Sequence, residues 1–204
     1  MKYYFAPGTC SIGVRVVLEE IGKPYEAVKV DFANRAQYAA PYVEKNPKSK
    51  VPLLERDDGA TLTEFAAINM WLALSNPDKR LIPADPDGHA RMIEAMDYAV
   101  GTMHMQGWQR FWRPGNFVAN EAEHAAVKAR GLEILAKGFD IMDKTLRGKE
   151  WLVGDYSLAD SALFYVTWWT TRNSKLELPA NVKAHYAGMN ARPAVQRALK
   201  GEGF

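Results

Sequence analysis

The chain has 204 residues, of which 26 are Lys or Arg and 24 are Asp or Glu. A charge this close to balance excludes a strongly basic protein, so we expect neither nucleic-acid binding nor attraction to an anionic membrane. The longest apolar run, 162–169, is too short to span a bilayer. The single cysteine excludes an internal disulfide, and no pattern at the amino terminus is typical of a signal peptide. We therefore expect a cytoplasmic globular protein.

The only cysteine lies where the sequence predicts that a strand turns into a helix. The aromatic run Lys2–Phe5 is typical of a strand, Pro7 and Gly8 break it, and apolar residues recur at helical spacing from Val14. Backbone N–H groups and the helix dipole stabilise a negative charge at such a position. We therefore expect Cys10 to be reactive, with a thiol pKa below its usual value of about 8.5. The alternative is an inert thiol that packs as a small hydrophobe.

The elements up to about residue 78 predict a compact α/β domain. After the first strand and helix, the remaining predicted elements are a strand at 28–32, a helix at 34–44, strands at 51–55 and 61–62, and a helix capped by Thr63. Strands and helices alternate, and the last two strands are joined by a tight turn. This order indicates a thioredoxin-like domain with a mixed sheet, residues 1–78.

Beyond residue 78 the sequence no longer predicts strands. Residues 79–86 predict a linker, and 87–204 predict an all-α domain. One long helix ends at Pro114, a second covers about 132–146, a third follows the capping signal of Ser157 and Asp160, and a last one opens at Pro193. No Gly-rich phosphate loop and no cluster with metal-ligand spacing is present, so we predict no metal.

Several stretches resemble signature segments of the cytosolic glutathione transferases. They are YYFAPGTCS, NPKSKVPLLE with LTE-x-x-AI, and SLADSALF, and the closing ARPAVQRALKGEGF is similar to the ends of bacterial members. Cysteine at the helix start, rather than tyrosine or serine, resembles the bacterial beta class. The resemblance implies a detoxification enzyme, with glutathione as co-substrate and a small hydrophobic electrophile as second substrate. It also implies a cytoplasmic homodimer.

The resemblance assigns the residues that would hold glutathione. Pro52 would be a cis proline, and the backbone of Val51 would pair with the cysteinyl part of glutathione; the alternative is a trans Pro52 on an edge strand. Glu64 would bind the γ-glutamyl end. Members of the family often have serine at the next position, but here it is Phe65, which leaves only its backbone N–H.

Four further assignments each have a plain alternative. Arg35 and Lys50 would contact the glycyl end or the backbone of glutathione, or they are solvated surface charges. Asp97 would reach the glutathione of the partner subunit, or it faces solvent. His104 would face Cys10 in a catalytic role, or it is structural. The apolar wall for the second substrate is sought among Trp108, Phe111, Trp112, Trp168 and Trp169.

The predicted function is conjugation of glutathione to small electrophiles, disulfide exchange through Cys10, or both. The alternatives are a glutathione-dependent disulfide reductase, a dehalogenating transferase, and a glutathione-binding module that has lost catalysis, which Phe65 favours. A surplus of apolar helix faces in the second domain indicates a two-fold dimer in which Asp97 acts in trans.

Overall fold

The computed structural model describes all 204 residues. The chain forms two compact units. The first unit contains residues 1–81 and 190–204, and the second contains residues 82–189. None of the helices combines the length and the apolar composition that a membrane span requires.

The first unit is built on a mixed sheet with four strands in the order β2-β1-β3-β4. The strands are β1 Lys2–Phe5, β2 Glu26–Lys29, β3 Leu53–Glu55 and β4 Thr61–Thr63. The pairing of β1 with β2 is parallel, whereas β1 with β3 and β3 with β4 are antiparallel. The predicted thioredoxin-like domain with a mixed sheet is confirmed.

The helices of the first unit are α1 Ser11–Ile21, α2 Ala40–Val43, α3 Phe65–Leu74 and α9 Pro193–Glu202. Helix α1 packs against both α3 and α9, which buries nearly all of its side chains. It ends at Gly22, whose φ of 74° is the left-handed conformation that glycine adopts without strain. Cys10 therefore lies at the start of a buried helix that is covered on two sides.

Two predicted elements differ from the structure. The predicted strand at 28–32 begins earlier, because pairing with β1 runs from Glu26 to Lys29. The predicted helix at 34–44 is a 3-10 turn, Ala36–Tyr38, followed by the short α2. The side chain of Asp31 accepts hydrogen bonds from the N–H groups of Ala33 and Asn34, and Arg35 has a left-handed φ of 56°. This local turn competes with a helix and prevents it from starting there.

The second unit is helical, apart from its loops and two isolated β-bridges, Trp151 with Gly154 and Val153 with Asp155. Its helices are α4 Pro86–Asp97, a π-helix Tyr98–Trp108, α5 Gln109–Trp112, α6 His124–Thr145, α7 Leu158–Asn173 and most of α8 Ala180–Ala191. The π-helix and α6 approach each other closely at two glycines. A Cβ at Gly131 would lie only 2.6 Å from the carbonyl oxygen of Gly107. The predicted capping box of Ser157 and Asp160 opens α7, whose residues are buried from Leu158 to Thr170.

The second domain predicted from the sequence, 87–204, differs at its carboxyl-terminal end. Residues 190–204 group with the first unit, because α9 packs along α1. Arg197 donates to the Glu19 carboxylate at 2.9 Å, and Arg15 donates to the Gly201 carbonyl at 2.7 Å. The spacing of apolar residues in α9 predicts a buried face but does not say which helix covers it.

Candidate active site

Cys10 occupies the N-cap position of α1, directly after the turn 6–9 that follows β1. Its carbonyl oxygen accepts a hydrogen bond from the Gly13 N–H at 3.1 Å. Its Sγ lies 3.8 Å from the carbonyl oxygen of Val51 and donates to it. The thiol therefore points at the segment before β3, where the sequence predicts that glutathione binds.

The turn before Cys10 is held by side-chain hydroxyls. Thr9 Oγ1 donates to the Ala6 carbonyl at 2.8 Å and lies 2.7 Å from Ser11 Oγ, which also donates to Ala6 at 3.2 Å. The hydroxyl of Tyr3 donates to the Ser11 carbonyl. Ser11 is fully buried. The Ser11 hydroxyl is therefore used within the turn.

Burial raises the pKa of the Cys10 thiol to about 12. The negative charges of Glu202 and Glu64 raise the pKa further, whereas a backbone hydrogen bond and the positive charge of Lys50 oppose the shift. The prediction of a lowered pKa is therefore wrong for this structure, although Cys10 as a residue is only half-buried. The cost of placing a thiolate in this poorly solvated position exceeds the stabilisation from the helix start.

The segment before β3 brings Lys50, Val51 and Pro52 to the Cys10 turn. The Val51–Pro52 peptide bond is cis, as predicted, and both residues are buried. The carbonyl oxygen of Lys50 accepts from the hydroxyl of Tyr42 and from Asn46 Nδ2, and Asn46 is itself buried. These two donors hold the backbone next to Cys10, while the side chain of Lys50 is exposed.

Glu64, not Thr63, is the N-cap residue of α3, and its φ is 74°. A positive φ is uncommon for a residue with a Cβ, and such strain is concentrated at functional sites. The exposed carboxylate lies 2.7 Å from Lys48 Nζ, which also donates to Thr63 Oγ1 at 2.8 Å. The sequence reasoning missed Lys48, although it stands within the NPKSK segment used for the resemblance.

Two further predicted binding residues, Phe65 and Arg35, differ in how far their side chains are buried. The side chain of Phe65 is buried in the core of the first unit, so only its backbone could meet a ligand. Arg35 is exposed, and its guanidinium lies 5.1 Å from the centre of the Tyr38 ring. It makes no ion pair or hydrogen bond with Cys10 or Glu64, and its exposure is also consistent with the alternative of a solvated surface charge.

The second unit contains the remaining predicted site residues. His104 lies in the π-helix, with Nδ1 3.2 Å from the hydroxyl of Tyr165 and Nε2 3.4 Å from Gln109 Nε2. Its ring meets Trp169 edge-on at 4.8 Å. These contacts hold the orientation of the imidazole. Asp97 is the last residue of α4 and is exposed.

The aromatic residues named from the sequence form a cluster in which only some members are accessible. Trp108 is fully buried, and Trp112 stacks on it at 4.4 Å with 39% of its surface exposed. Trp169 is buried and meets Trp112 edge-on at 4.7 Å. Trp168 is also buried, beneath the guanidinium of Arg172. Trp112 is thus the exposed member of this aromatic cluster.

No group of three or more His, Cys, Asp or Glu side chains could hold a metal ion.

Comparison with known proteins decides the family. Residues 8–74 match the N-terminal domain of glutathione S-transferases, and residues 94–193 match the C-terminal domain. The glutathione S-transferase GstA of Escherichia coli O157:H7 is 33% identical over the full length of both chains. The chain belongs to the glutathione S-transferase family. The predicted fold and enzyme class are confirmed at this level.

Two solved structures resemble this glutathione S-transferase over nearly the whole chain. A glutathione transferase homologue from Sulfitobacter, with bound glutathione, has a TM-score of 0.89 and 31% identity, covering 99% of this chain and 97% of the other. A bacterial beta-class glutathione S-transferase from Sphingomonas chungbukensis has a TM-score of 0.86 and 31% identity, covering 100% of this chain and 99% of the other.

Proposed function

We propose that this glutathione S-transferase is of the cysteine type, similar to the beta class, and conjugates glutathione to small hydrophobic electrophiles. The observation that carries the proposal is the position of Cys10, whose Sγ lies 3.8 Å from the carbonyl of Val51 at the start of α1. A peptide that pairs with the Val51 backbone brings its own side chain next to this thiol. The likeness to a glutathione-bound homologue and to a beta-class enzyme supports the proposal.

Glutathione binding is assigned to the first unit. The γ-glutamyl ammonium would pair with Glu64, and its carboxylate would meet the N-terminus of α3 at Phe65, where backbone N–H groups and the helix dipole favour an anion. The cysteinyl part would pair with Val51 beside Pro52. Lys50 and Arg35 would contact the glycyl end. The exposed charges of Glu64 and Lys50 near Cys10 support this arrangement.

The raised pKa of Cys10 favours conjugation over disulfide exchange. The Cys10 thiol is protonated at neutral pH, so its S–H can donate a hydrogen bond to the sulfur of glutathione. This donation stabilises the glutathione thiolate, whose proton passes to solvent. The thiolate then attacks the electrophilic carbon, a C–S bond forms, and the leaving group departs with its electron pair. Disulfide exchange requires the Cys10 thiolate itself and is therefore the slower activity.

The decisive experiment compares Cys10→Ala and Cys10→Ser in two assays. Both variants should lose exchange with a glutathionyl disulfide. Conjugation should fall about tenfold in Cys10→Ala, the loss of one hydrogen bond to a charged sulfur, and less in Cys10→Ser, whose hydroxyl still donates. Turnover of disulfides alone would indicate a disulfide reductase. Binding of glutathione without any turnover would indicate a non-catalytic module, and full conjugation by Cys10→Ala would remove Cys10 from the mechanism.

Selection of the electrophile is assigned to the helical unit. The half-exposed face of Trp112 supports an apolar second substrate. We also assign His104 a catalytic role, since Tyr165 and Gln109 hold its imidazole in a defined orientation. His104→Gln should lower kcat for conjugation. An unchanged kcat would make His104 structural.

The proposed working unit is a cytoplasmic homodimer in which Asp97 serves the glutathione site of the partner. The lone cysteine suits a reducing compartment, and the exposed side chains of Leu74 and Ile93 support an apolar interface. A mixed dimer of Cys10→Ala and Asp97→Ala chains tests the proposal. Action in trans leaves one intact site and restores disulfide-exchange activity on mixing, whereas no recovery would contradict it.

A further inference from the structure

The π-helix decides which residue lies one turn beyond His104. The N–H of Gln109, directly after the π-helix, donates to the carbonyl oxygen of His104, five residues earlier. In an α-helix this bond would join residues four apart, and side chains three or four positions apart would be neighbours. Turns of π-helix are rare and frequently lie at functional sites. Here the wider turn brings the side chain of Gln109 beside the imidazole.

The two ring nitrogens of His104 meet different partners. Nδ1 lies 3.2 Å from the hydroxyl of Tyr165, which is fully buried in α7. Nε2 lies 3.4 Å from the amide nitrogen of Gln109, a half-buried residue. The rings of Tyr165 and Trp169 meet the imidazole edge-on at 5.7 and 4.8 Å. The buried aromatic rings therefore fix the plane of the imidazole, and Gln109 faces the nitrogen that Tyr165 leaves open.

The chemistry of these two partners decides where the ring proton lies. An amide nitrogen only donates hydrogen bonds, so Nε2 of His104 has to accept with its lone pair. A neutral imidazole carries one N–H, which must then be on Nδ1, where the hydroxyl oxygen of Tyr165 accepts it. A doubly protonated ring would place an N–H of His104 against an N–H of Gln109. The neutral ring with its proton on Nδ1 is the form that suits both partners.

We propose that Gln109 is a positioning residue that selects this tautomer of His104, with the proton on Nδ1 and the lone pair on Nε2. The proposal rests on the proposed role of His104 and specifies the chemistry of that role. In this form His104 accepts a proton at Nε2 and cannot donate one there. The π-helix is the backbone feature that makes the selection, because it brings Gln109 to the ring.

Two other histidines of the same unit meet acceptors instead of a donor. Nε2 of His124 lies 3.3 Å from the carbonyl oxygen of Val118, and Nε2 of His185 lies 3.0 Å from Oδ1 of Asp160. Carbonyl and carboxylate oxygens only accept hydrogen bonds, so both rings carry a proton on Nε2. When neutral, His124 and His185 therefore have the tautomer opposite to that of His104, and they serve as internal references.

The first test determines the tautomers by 15N NMR in the full-length protein, because a protonated ring nitrogen and a nitrogen with a lone pair have well-separated shifts. The spectra are recorded at about pH 9, above the ordinary pKa of histidine, about 6.5. In the wild type, the proton of His104 should be on Nδ1, and those of His124 and His185 on Nε2. Gln109→Glu, whose carboxylate only accepts, should place a proton on Nε2 of His104.

Gln106→Glu is the matched control for this test. It makes the same change of charge three residues earlier in the π-helix, where the side chain is exposed and accepts from Arg110. The proton of His104 should stay on Nδ1 in this variant. A wild-type His104 with its proton on Nε2, or an Nε2 that stays unprotonated in Gln109→Glu, would overturn the proposal.

The second test measures kcat and KM for conjugation, and it separates this proposal from the proposed function. Gln109→Glu should lower kcat about tenfold, as for the loss of one hydrogen bond to a charged group, and leave the KM for glutathione nearly unchanged. Gln106→Glu should leave both parameters as in the wild type. An unchanged kcat with a proton on Nε2 would refute the catalytic role of His104 but not the selection of its tautomer. Loss of kcat in His104→Gln, with no change of tautomer in Gln109→Glu, would support that role and overturn the selection by Gln109.

Discussion

The two units each contain a buried carboxylate, and the two carboxylates differ in how many donors surround them. Oδ1 of Asp160 accepts from the Leu152 N–H and from His185 Nε2, both at 3.0 Å. Its Oδ2 accepts from the N–H and the hydroxyl of Ser157, at 2.9 and 3.1 Å. Glu202, in the other unit, accepts from one protein donor, the Gly8 N–H on Oε2.

This difference separates a carboxylate that maintains structure from one that can respond to its surroundings. Asp160 accepts from donors on both of its oxygens, so it ties the segment at Leu152 and the ring of His185 to the start of α7. Glu202 lies in a low-dielectric position with one donor, and burial raises its pKa to about 7. The first carboxylate is a folding determinant. The second can gain or lose a proton near neutral pH.

The largest expected effect comes from Asp160→Ala. The substitution leaves the Leu152 N–H, the Ser157 N–H and His185 without their acceptor, and each unsatisfied buried group costs about 1–3 kcal/mol. We expect the free energy of unfolding to fall by about 4 kcal/mol, measured by urea denaturation. Asp155→Ala, at an exposed position in the preceding segment, should change it by no more than about 0.5 kcal/mol. Equal losses in both variants would contradict the comparison.

The next effect is the pH dependence of stability in Glu202→Gln. The pKa of Glu202 rises from 4.5 to about 7 on folding, so its contribution to stability is present at low pH and is lost as the pH rises through about 7. Glutamine does not titrate. Between about pH 5 and about pH 8, the free energy of unfolding of the wild type should therefore fall by about 3 kcal/mol relative to that of the variant. Parallel stability curves for the two proteins would show that Glu202 does not titrate in this range.

Glu64 extends the comparison to an exposed carboxylate. Glu64→Ala should weaken glutathione binding by about 2 kcal/mol, because the ammonium of the ligand loses a charged hydrogen-bond partner. Isothermal titration calorimetry measures the affinity, and Glu44→Ala, another exposed carboxylate of the same unit, is the control. An affinity equal to that of the wild type would remove Glu64 from the site.

The smallest effect is expected for Lys48→Ala. Lys48 and Glu64 are both largely exposed, and ion pairs of this kind contribute about 0–1 kcal/mol. Because Lys48 competes with the ligand ammonium for the same carboxylate, we expect glutathione to bind slightly more tightly to the variant, by less than about 1 kcal/mol. A loss as large as that of Glu64→Ala would instead indicate that Lys48 itself binds glutathione.

Local signals in the sequence predicted much of the fold and part of the site. The apolar spacing of α1 and Gly22 at its end, and the capping box of Ser157 and Asp160, are all confirmed. Each depends on residues a few positions apart. The limits of β2 and the broken helix near Arg35 were missed, because strand pairing and a side-chain turn at Asp31 outweighed the apolar pattern.

By itself, the sequence determined the thioredoxin-like order of elements, the helical second half, the place of Cys10 at a helix start and the family. These follow from short-range spacing and from motifs that recur in a set order. Only the tertiary structure decided the desolvation of Cys10 and the contact of Glu202 with Gly8. Burial depends on which elements cover a residue, and the contact between Gly8 and Glu202 joins residues 194 positions apart. Desolvation of Cys10 then outweighed the helix start that the sequence predicted would lower its pKa.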